Sequence, residues 1–240
     1  TVAEGTPVVT SLGAYPTFGF HVTGFGGAMH PVPYTADHED PERLVAKARA
    51  SGARLIYLAN PDNPMGTWHS ADTVARMVDV VPDGSLLLLD EAYVDLAPPG
   101  TAPALDPSDP RVIRFRTFSK AHGLAGLRVG YAIGPAPLIA AFDRVRNHFG
   151  LGRVAQAGAL AALADPDWLA QVQAQVSAAR ARIAQIGRDT GLRPLPSATN
   201  FVTLDCGADG ALARAVLAAL AERGVFVRMP GVAPLDRCIR

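Results

Sequence analysis

The sequence predicts an α/β protein with a mixed, mostly parallel β-sheet that is covered by helices. Two observations support this fold class. First, short continuous apolar runs, such as residues 54–59 and 86–89, alternate with stretches of helical periodicity. Such runs are typical of parallel strands that are buried on both faces. Second, polar residues follow directly after several of these runs, and functional residues of open α/β sheets lie beyond the carboxyl ends of the strands.

Composition restricts the classes of protein to which the chain can belong. The 240 residues include 49% hydrophobic residues, which is enough for a substantial core. The 22 basic and 22 acidic residues balance and form no long block, so we expect neither a nucleic acid nor a membrane surface as partner. Two cysteines are too few for a disulfide framework, which favours a cytoplasmic location. We also expect no metal site. No apolar run approaches about 18 residues, so we expect no membrane span either.

The first part of the chain predicts alternating strands and helices. Asp40 followed by Pro41 indicates a helix start, and Gly52 indicates its end. Ser70 is suited to cap the next helix. The loop at residues 60–66 contains two prolines and a glycine, which exclude both helix and strand. The predicted strands are 6–12, 28–34, 54–59 and 86–89, and the predicted helices are a segment ending near residues 26–27, then 41–50 and 70–80.

The second part predicts two further strands and then a mainly helical region. Asp165 is a candidate N-cap for the longest helix, which Gly191 and Pro194 end. The predicted strands are 112–115, 127–133, 201–205, 225–228 and 238–240, and the predicted helices are 135–149, 153–164, 166–190 and 210–223. We therefore expect a large domain at residues 1–165, a connecting helix at 166–190 and a smaller, incomplete C-terminal α/β domain at 191–240.

The segment 116–134 contains the strongest candidate for a catalytic group. Lys120 lies in a loop between two predicted strands, and a lysine amine can act as a nucleophile toward a carbonyl. Thr117, Ser119 and Arg128 are close along the chain and are suited to a doubly charged phosphate. A lysine with phosphate-binding neighbours suggests pyridoxal phosphate as cofactor. The alternative is a solvated lysine on a surface loop.

Four other residues are candidates for contacts to such a cofactor. Asp90 follows a buried leucine strand, where a carboxylate is costly unless it meets a positive partner such as a protonated pyridine nitrogen. The alternative is a helix-capping or turn aspartate. Asn63 and Tyr93 can bond the ring oxygen of the cofactor, although turn chemistry and simple packing also explain them. Phe18 can stack on the ring face or belong to the core.

Three motifs resemble a known family. They are Asn-Pro-Asp-Asn-Pro-Met-Gly at 60–66, Asp-Glu-Ala-Tyr at 90–93, and Ser-Lys-Ala-His-Gly-Leu-Ala-Gly-Leu-Arg-Val-Gly-Tyr at 119–131. In this order they resemble the class I/II aminotransferases of pyridoxal-phosphate fold type I. Within these, they are most similar to the histidinol-phosphate aminotransferase branch. The resemblance implies the large domain of that fold with a smaller C-terminal domain, and a homodimer.

The resemblance also implies a role for each candidate residue. Lys120 is expected to form the Schiff base with the cofactor and to move protons, while Asp90 pairs with the pyridine nitrogen. The remaining cofactor contacts are expected from Asn63 and Tyr93 to the ring oxygen, Thr117, Ser119 and Arg128 to the phosphate, and Phe18 to the ring face. Substrate contacts are expected from Asn200, from Arg240 as a bidentate clamp on the α-carboxylate, and from Arg228 to a substrate phosphate. The sequence Met-Pro-Gly after Arg228 departs from the family pattern, so a solvated charge is the alternative there.

The implied activity is transfer of an amino group from an amino acid or histidinol phosphate to a 2-oxo acid such as 2-oxoglutarate, as in amino-acid biosynthesis. Two alternatives share the cofactor motifs: a decarboxylase of a phosphorylated amino acid, and a non-catalytic cofactor-sensing domain of a transcription regulator. The family has an N-terminal arm and a glycine-rich turn ahead of the first residue, and a final strand and helix after Arg240. We therefore expect the chain to be part of a longer enzyme.

Overall fold

The computed structural model describes residues 2–207 and 209–240. Its larger sheet has six strands in the order β2-β1-β3-β4-β5-β6. These strands are β1 (Pro7–Ser11), β2 (Ala28–Val32), β3 (Leu55–Ala59), β4 (Leu86–Asp90), β5 (Val112–Thr117) and β6 (Gly130–Ile133). Strands β1 to β5 pair in parallel, and β6 pairs antiparallel with β5. The predicted mixed, mostly parallel sheet is confirmed.

Three helices connect the first four strands, further helices follow β6, and a small antiparallel sheet lies near the C-terminus. The helices are α1 (Pro16–Gly24), α2 (Pro41–Ser51), α3 (Ala71–Asp79), α4 (Ala136–Ala141), α5 (Arg153–Leu163), α6 (Pro166–Asp189) and α7 (Gly210–Ala221). The second sheet has the order β7-β8-β9, with β7 (Arg193–Pro194), β8 (Leu204–Asp205) and β9 (Cys238–Ile239). The division into a large domain, a connecting helix and a small domain stays a prediction.

The predicted helix starts have their expected caps. The Asp40 carboxylate accepts a hydrogen bond of 3.0 Å from the backbone N–H of Arg43. Ser70 Oγ accepts from the N–H of Thr73 at 3.3 Å, and the Asp165 carboxylate caps α6 in the same way. Each cap satisfies one of the N–H groups that the first helical turn leaves without an intrahelical partner.

The main core lies between the central strands and helices α2 and α3. Ile56 and Leu58 of β3, and Leu87 and Leu89 of β4, are completely buried. They pack in one cluster with Leu44 of α2 and Val74 of α3. Burial of one such side chain contributes about 1.5–3 kcal/mol, so this cluster fixes the strands whose ends carry the polar residues. Among the described helices, none is both long enough and apolar enough to cross a membrane.

Four predicted elements differ from the structure: one strand does not form, and one helix and two strands are shorter than predicted. Local pattern alone does not show what an element packs against. The predicted helix at 135–149 ends at Ala141 and continues only as a 3₁₀ turn, Phe142–Arg144. Val145 and Phe149 farther on are 82% and 99% exposed, so no buried face holds that segment in a helix. The predicted strand at 225–228 is irregular, and Phe226 within it is 88% exposed. The predicted strands at 127–133 and 201–205 are reduced to β6 and β8.

Candidate active site

The candidate site lies beyond the carboxyl ends of three neighbouring parallel strands. Strand register places Ala59 of β3 beside Asp90 of β4, and Asp90 beside Phe115 of β5. The loop that contains Asn63 follows β3, and Lys120 follows β5. Adjacent parallel strands therefore bring together three groups that are far apart along the chain, as the sequence predicts. Gly130 of β6 is required at its position, because a Cβ there would lie 2.7 Å from the carbonyl oxygen of Arg116.

Asp90 is held by one side-chain and one backbone donor. Its Oδ2 accepts a hydrogen bond of 2.6 Å from the hydroxyl of Tyr57, and its Oδ1 accepts from the N–H of Ala92 at 2.9 Å. Burial raises the pKa of Asp90, whereas the two hydrogen bonds and the nearby Lys120 act in the opposite direction. Each carboxylate oxygen has a second lone pair, so Asp90 can accept another N–H or O–H donor from a ligand.

Tyr57 is a residue that the sequence-based reasoning missed. Its ring is stacked on Phe18, with centroids 4.4 Å apart and an interplanar angle of 15°. Its link to Asp90 follows from the pairing register of the two strands, since side chains two positions apart share a sheet face. Tyr57 lies beside Leu88 in the register, and Asp90 lies two positions beyond Leu88. A tyrosine reaches such a diagonal neighbour across two strands.

Asn63 and Tyr93 lie together, as the sequence predicts. The Asn63 amide donates to the Tyr93 hydroxyl at 3.2 Å, while the other amide atom, Oδ1, is buried without a hydrogen-bond partner among the described residues. The partly buried Lys120 has its Nζ 5.2 Å from the centroid of the Tyr93 ring. Lys120 therefore shares its surroundings with Asp90 and with the Asn63–Tyr93 pair.

The three residues with predicted phosphate contacts line one cavity of about 440 Å³. Thr117 Oγ1 accepts a hydrogen bond of 3.0 Å from the backbone N–H of Ser119, which closes a turn just before Lys120. Arg128 is exposed, has a left-handed backbone (φ 54°), and donates to the carbonyl of Ala125 at 2.7 Å. A guanidinium has five N–H donors, so this single bond leaves others for an anion.

Arg240 and Arg228 line a second cavity of about 400 Å³, together with Asn63 and Tyr15. The two arginines exchange backbone hydrogen bonds of 2.9 and 2.8 Å, which places them side by side. The Arg240 guanidinium lies over the ring of Phe201, 4.6 Å from its centroid, and burial lowers the pKa of Arg240. A pair of guanidinium groups in one cavity is suited to an anionic ligand.

Asn200 is exposed and does not line the cavity that contains the two arginines. Its neighbour Phe201 does reach the site, since its ring meets the Tyr93 ring edge-on with centroids 5.6 Å apart. The other predicted site residues lie in the groups described above, around Asp90, around the Asn63–Tyr93 pair and in the two cavities, and their roles stay a prediction. In the part of the chain that is described, no group of three or more His, Cys, Asp or Glu side chains is arranged to hold a metal ion.

Glu91, the residue after Asp90, anchors the end of β4. Its carboxylate is 1% exposed and accepts hydrogen bonds from Arg114 at 2.7 Å and from Arg116 at 2.9 Å, both on β5. A buried carboxylate needs paired charge to offset its lost hydration, and two guanidinium groups supply it. The two ion pairs join β4 to β5 beside Asp90.

A second buried carboxyl group lies in the loop after β3. Asp62 accepts from the hydroxyl of Tyr34 at 2.9 Å and from the N–H of Met65 at 3.0 Å. The carboxyl group of Glu39 lies beside it, buried, and neither Glu39 oxygen has a donor from the described residues. Two adjacent carboxyl groups form a hydrogen bond only if one holds a proton. Burial raises the pKa of Asp62 to about 6, and burial together with Asp62 raises the pKa of Glu39 well above its usual value.

Comparison with known proteins places this arrangement in a family. The model of the family described as aminotransferase class I and II matches residues 1–240. In structure, the chain superposes on a histidinol-phosphate aminotransferase from Sinorhizobium meliloti in complex with pyridoxal-5'-phosphate, with a TM-score of 0.97 and 52% identity. The match covers 100% of this chain and 66% of that one.

Curated relatives agree in family but differ in name. Histidinol-phosphate aminotransferase 2 of Ralstonia nicotianae is 36% identical over an alignment of 242 positions, which covers 100% of this chain and 64% of the relative. The aromatic amino acid aminotransferase of Mycobacterium avium is 37% identical over an alignment of 251 positions, which covers 100% of this chain and 70% of the relative. The chain thus spans about two thirds of the length of these relatives. It belongs to the aminotransferase class I and II family.

Proposed function

We propose that the protein is a pyridoxal-phosphate-dependent aminotransferase, a transferase of nitrogenous groups. The observation that carries the proposal is the meeting of Asp90, the Asn63–Tyr93 pair and Lys120 at adjacent strand ends. An acid, an amide–phenol pair and an amine in this arrangement match the three polar positions of a pyridine aldehyde that carries a hydroxyl group. Family membership and the cofactor of the Sinorhizobium meliloti relative support the same assignment.

The residues fit the ring of this cofactor. Asp90 has lone pairs left for a protonated ring nitrogen, and a positive partner would offset the cost of its burial. The buried Asn63 Oδ1 lacks a partner among the described residues, and rotation of the amide by 180° would present its NH₂ group there instead. A ring hydroxyl or its oxygen anion would satisfy that position together with Tyr93.

The cavity beside Thr117, Ser119 and Arg128 suits the phosphate of the cofactor. Hydroxyl groups and a guanidinium are strong partners of phosphate oxygens. The left-handed backbone of Arg128 turns the chain so that its side chain and the Thr117–Ser119 turn line the same cavity. Phe18 lies next to Tyr57 and can cover one face of the ring.

We assign the chemical roles accordingly. When bound, pyridoxal phosphate supplies an electron sink for the negative charge that develops at the substrate α-carbon. Lys120 acts as the nucleophile and holds or moves a proton at its Nζ. Asp90 keeps its carboxylate charged opposite the ring nitrogen. Arg240 binds a substrate carboxylate through two parallel N–H donors, and Phe201 orients its guanidinium plane.

The substrates we propose are an amino donor, either histidinol phosphate or an aromatic amino acid, and a 2-oxo acid acceptor such as 2-oxoglutarate. The names of the relatives from Ralstonia nicotianae and Mycobacterium avium support these two donor classes. The paired arginines Arg228 and Arg240 favour an anionic substrate, with Arg228 toward a phosphate. Asn200 is assigned a substrate contact only on the resemblance, since its side chain is exposed.

Cofactor spectroscopy tests the proposal. The protein is mixed with pyridoxal phosphate, and visible absorption is followed as glutamate, an aromatic amino acid or histidinol phosphate is added, and then a 2-oxo acid. We expect one donor to discharge the visible band and the oxo acid to restore it, with a 2-oxo product and no carbon dioxide. Release of carbon dioxide, or a band that no donor discharges, would contradict transamination.

The chain offers a matched control for the proposed nucleophile, because it contains two lysines, Lys47 and Lys120. Lys47 is exposed in the middle of α2. Lys120→Ala should abolish turnover and Lys47→Ala should leave it unchanged. After reduction with borohydride, mass spectrometry should find the pyridoxyl group on the peptide with Lys120. The same label on Lys47, or turnover by Lys120→Ala, would refute the assignment.

We further propose a cytoplasmic homodimer. Two buried free cysteines, Cys206 and Cys238, are compatible with a reducing compartment. Several large apolar side chains are strongly exposed, among them Phe20, Phe25 and Phe149. Such exposure is typical of surface that another chain covers. Sedimentation of the protein should give a dimer, whereas a monomer at micromolar concentration would contradict this part of the proposal.

A further inference from the structure

Tyr57 joins two residues that have separate predicted contacts to the cofactor. Its hydroxyl donates to Asp90 Oδ2 at 2.6 Å, and its ring lies flat against Phe18. Tyr57 is 6% exposed and lies on β3, which pairs with a strand on each side. A side chain on a central strand is among the most rigid in the fold, so it can fix the position of what it contacts.

The hydrogen bond from Tyr57 acts on both the direction and the charge of Asp90. Together with the N–H of Ala92, it fixes the plane of the carboxylate, so the remaining lone pairs have a defined direction. Donation to the ionised form also opposes the effect of burial, which favours a neutral acid. A neutral Asp90 could not balance a positive ring nitrogen. Burial and the Asp90 charge raise the pKa of Tyr57 well above its usual value, so its hydroxyl stays protonated as a donor.

The ring of Tyr57 acts on Phe18. Phe18 belongs to the short helix α1, in which Val22 is buried while Phe20 is 71% exposed. With so little of α1 in the core, the stacked ring of Tyr57 is a principal contact for orienting Phe18. Loss of the hydroxyl alone should leave this contact intact, which makes the two functions of Tyr57 separable by mutation.

We propose that Tyr57 is a positioning residue of the cofactor site, holding Asp90 through its hydroxyl and Phe18 through its ring. The inference rests on the proposed function, because it assigns Tyr57 to the same site. Lys120 and Glu91 are charged groups that also act on Asp90, and Glu39 and Asp62 act on Tyr57, whereas the hydrogen bond of the Tyr57 hydroxyl goes to Asp90. The hydroxyl is therefore the part whose removal tests the assignment.

The test compares Tyr57→Phe with Tyr34→Phe. Both variants lose one tyrosine hydroxyl that donates to a buried aspartate, but only Tyr57 donates to Asp90. In the cofactor-free protein, ¹³C NMR of labelled aspartate carboxyl groups gives the pKa of Asp90, whose signal is identified by its loss in Asp90→Asn. We expect a higher Asp90 pKa in Tyr57→Phe and an unchanged one in Tyr34→Phe. Pyridoxal phosphate titration should show about tenfold weaker binding for Tyr57→Phe and less than a twofold change for Tyr34→Phe.

A third variant separates the ring from the hydroxyl. Tyr57→Leu should weaken cofactor binding more than Tyr57→Phe, because it also removes the surface against which Phe18 lies. Thermal melting of each variant in the absence of cofactor reports its folding. Equal Asp90 pKa values and equal cofactor affinity in wild type and Tyr57→Phe would overturn the inference, as would equal effects of the two Tyr→Phe variants. A wild-type protein that does not bind pyridoxal phosphate would instead overturn the proposed function.

Discussion

Asp62, which is buried, and Asp90, which is partly buried, have closely similar partners and different surroundings. Asp90 and Asp62 each accept one hydrogen bond from a tyrosine hydroxyl and one from a backbone N–H two or three positions further along. Each also has a cation close enough to lower its pKa, Lys120 for Asp90 and Arg240 for Asp62. Each cation lies over an aromatic ring, and these two rings, Tyr93 and Phe201, are in edge-to-face contact.

The difference lies in the additional neighbour. Asp62 is next to Glu39, a second buried carboxyl group that no cation of the described residues pairs with, so the two acids are best satisfied when they share a proton. Asp90 is next to Glu91, but two arginines already pair with that carboxylate. Asp90 therefore remains available to an external cation, whereas Asp62 is committed to the protein interior. Similar hydrogen bonds thus support a binding role in one place and a structural role in the other.

The largest expected contrast is between Asp90→Asn and Asp62→Asn. In the proposed site Asp90→Asn removes the charge that would face the ring nitrogen, and breaking a buried charge pair costs about 3–5 kcal/mol, so turnover should fall by about a thousandfold. Asp62→Asn keeps the acceptor for Tyr34 and should lower turnover by less than about tenfold. Steady-state kinetics of the two purified variants measure the contrast. Similar losses in both would mean that the two aspartates do not differ in role.

A smaller effect, on stability, is expected from the pair of carboxyl groups of Glu39 and Asp62, and it depends on pH. Both Glu39 and Asp62 have raised pKa values, so the folded protein binds more protons than the unfolded chain. Its stability therefore falls as pH rises from the pKa of an unfolded carboxyl group through the raised pKa values of this pair. Glu39→Gln removes one of the two acids. The melting temperature of Glu39→Gln minus that of wild type should therefore become more positive between pH 5 and pH 8.

At pH 8 we expect Glu39→Gln to melt about 2–4 °C above wild type, since one pKa unit corresponds to about 1.4 kcal/mol. Calorimetry at several pH values between 5 and 8 provides the measurement. Glu42→Gln, at an exposed position of α2, is the control and should show no such trend. A difference between Glu39→Gln and wild type that stays constant with pH would show that the pair does not share a proton.

The smallest effect is expected at the ring below Arg240. Phe201→Leu removes the face on which the guanidinium lies, and an interaction of this kind is worth about 0.5–1 kcal/mol at a partly exposed site. The KM for the anionic substrate should rise about threefold with little change in kcat. If kcat falls instead, Phe201 acts mainly through its edge contact with Tyr93, on the side of Asp90 and Lys120.

The sequence predicts the sheet and most of the candidate site because both depend on local signals. Buried runs, caps and the residues just after strands are readable from one chain, which is why Asn63, Asp90, Tyr93 and Lys120 were identified. Tyr57 was missed because its partner lies on another strand, and the pairing register is not encoded in local pattern. Glu39 was missed for the same reason, since its contact with Asp62 joins two loops.

The wrong element boundaries have a related cause. Residues 225–228 are rich in β-branched and aromatic residues, which favours a strand. In the structure they connect to the end of β9 through one pair of backbone hydrogen bonds, between Arg228 and Arg240. Residues 145–149 lack a buried face, so helix propensity alone does not order them. In both places the decisive information was the presence or absence of a packing partner.

The register of β4 has a consequence for how the protein tolerates change. Because side chains alternate between sheet faces, deleting one residue among Leu86–Leu89 would turn Asp90 away from Tyr57 and Lys120. Exchanging one of those leucines for isoleucine would cost less than about 1.5 kcal/mol and leave the direction of Asp90 unchanged. The number of residues in this strand therefore matters more than which apolar residues they are, and a laboratory library should exchange the leucines only for apolar residues of similar volume while never altering their number.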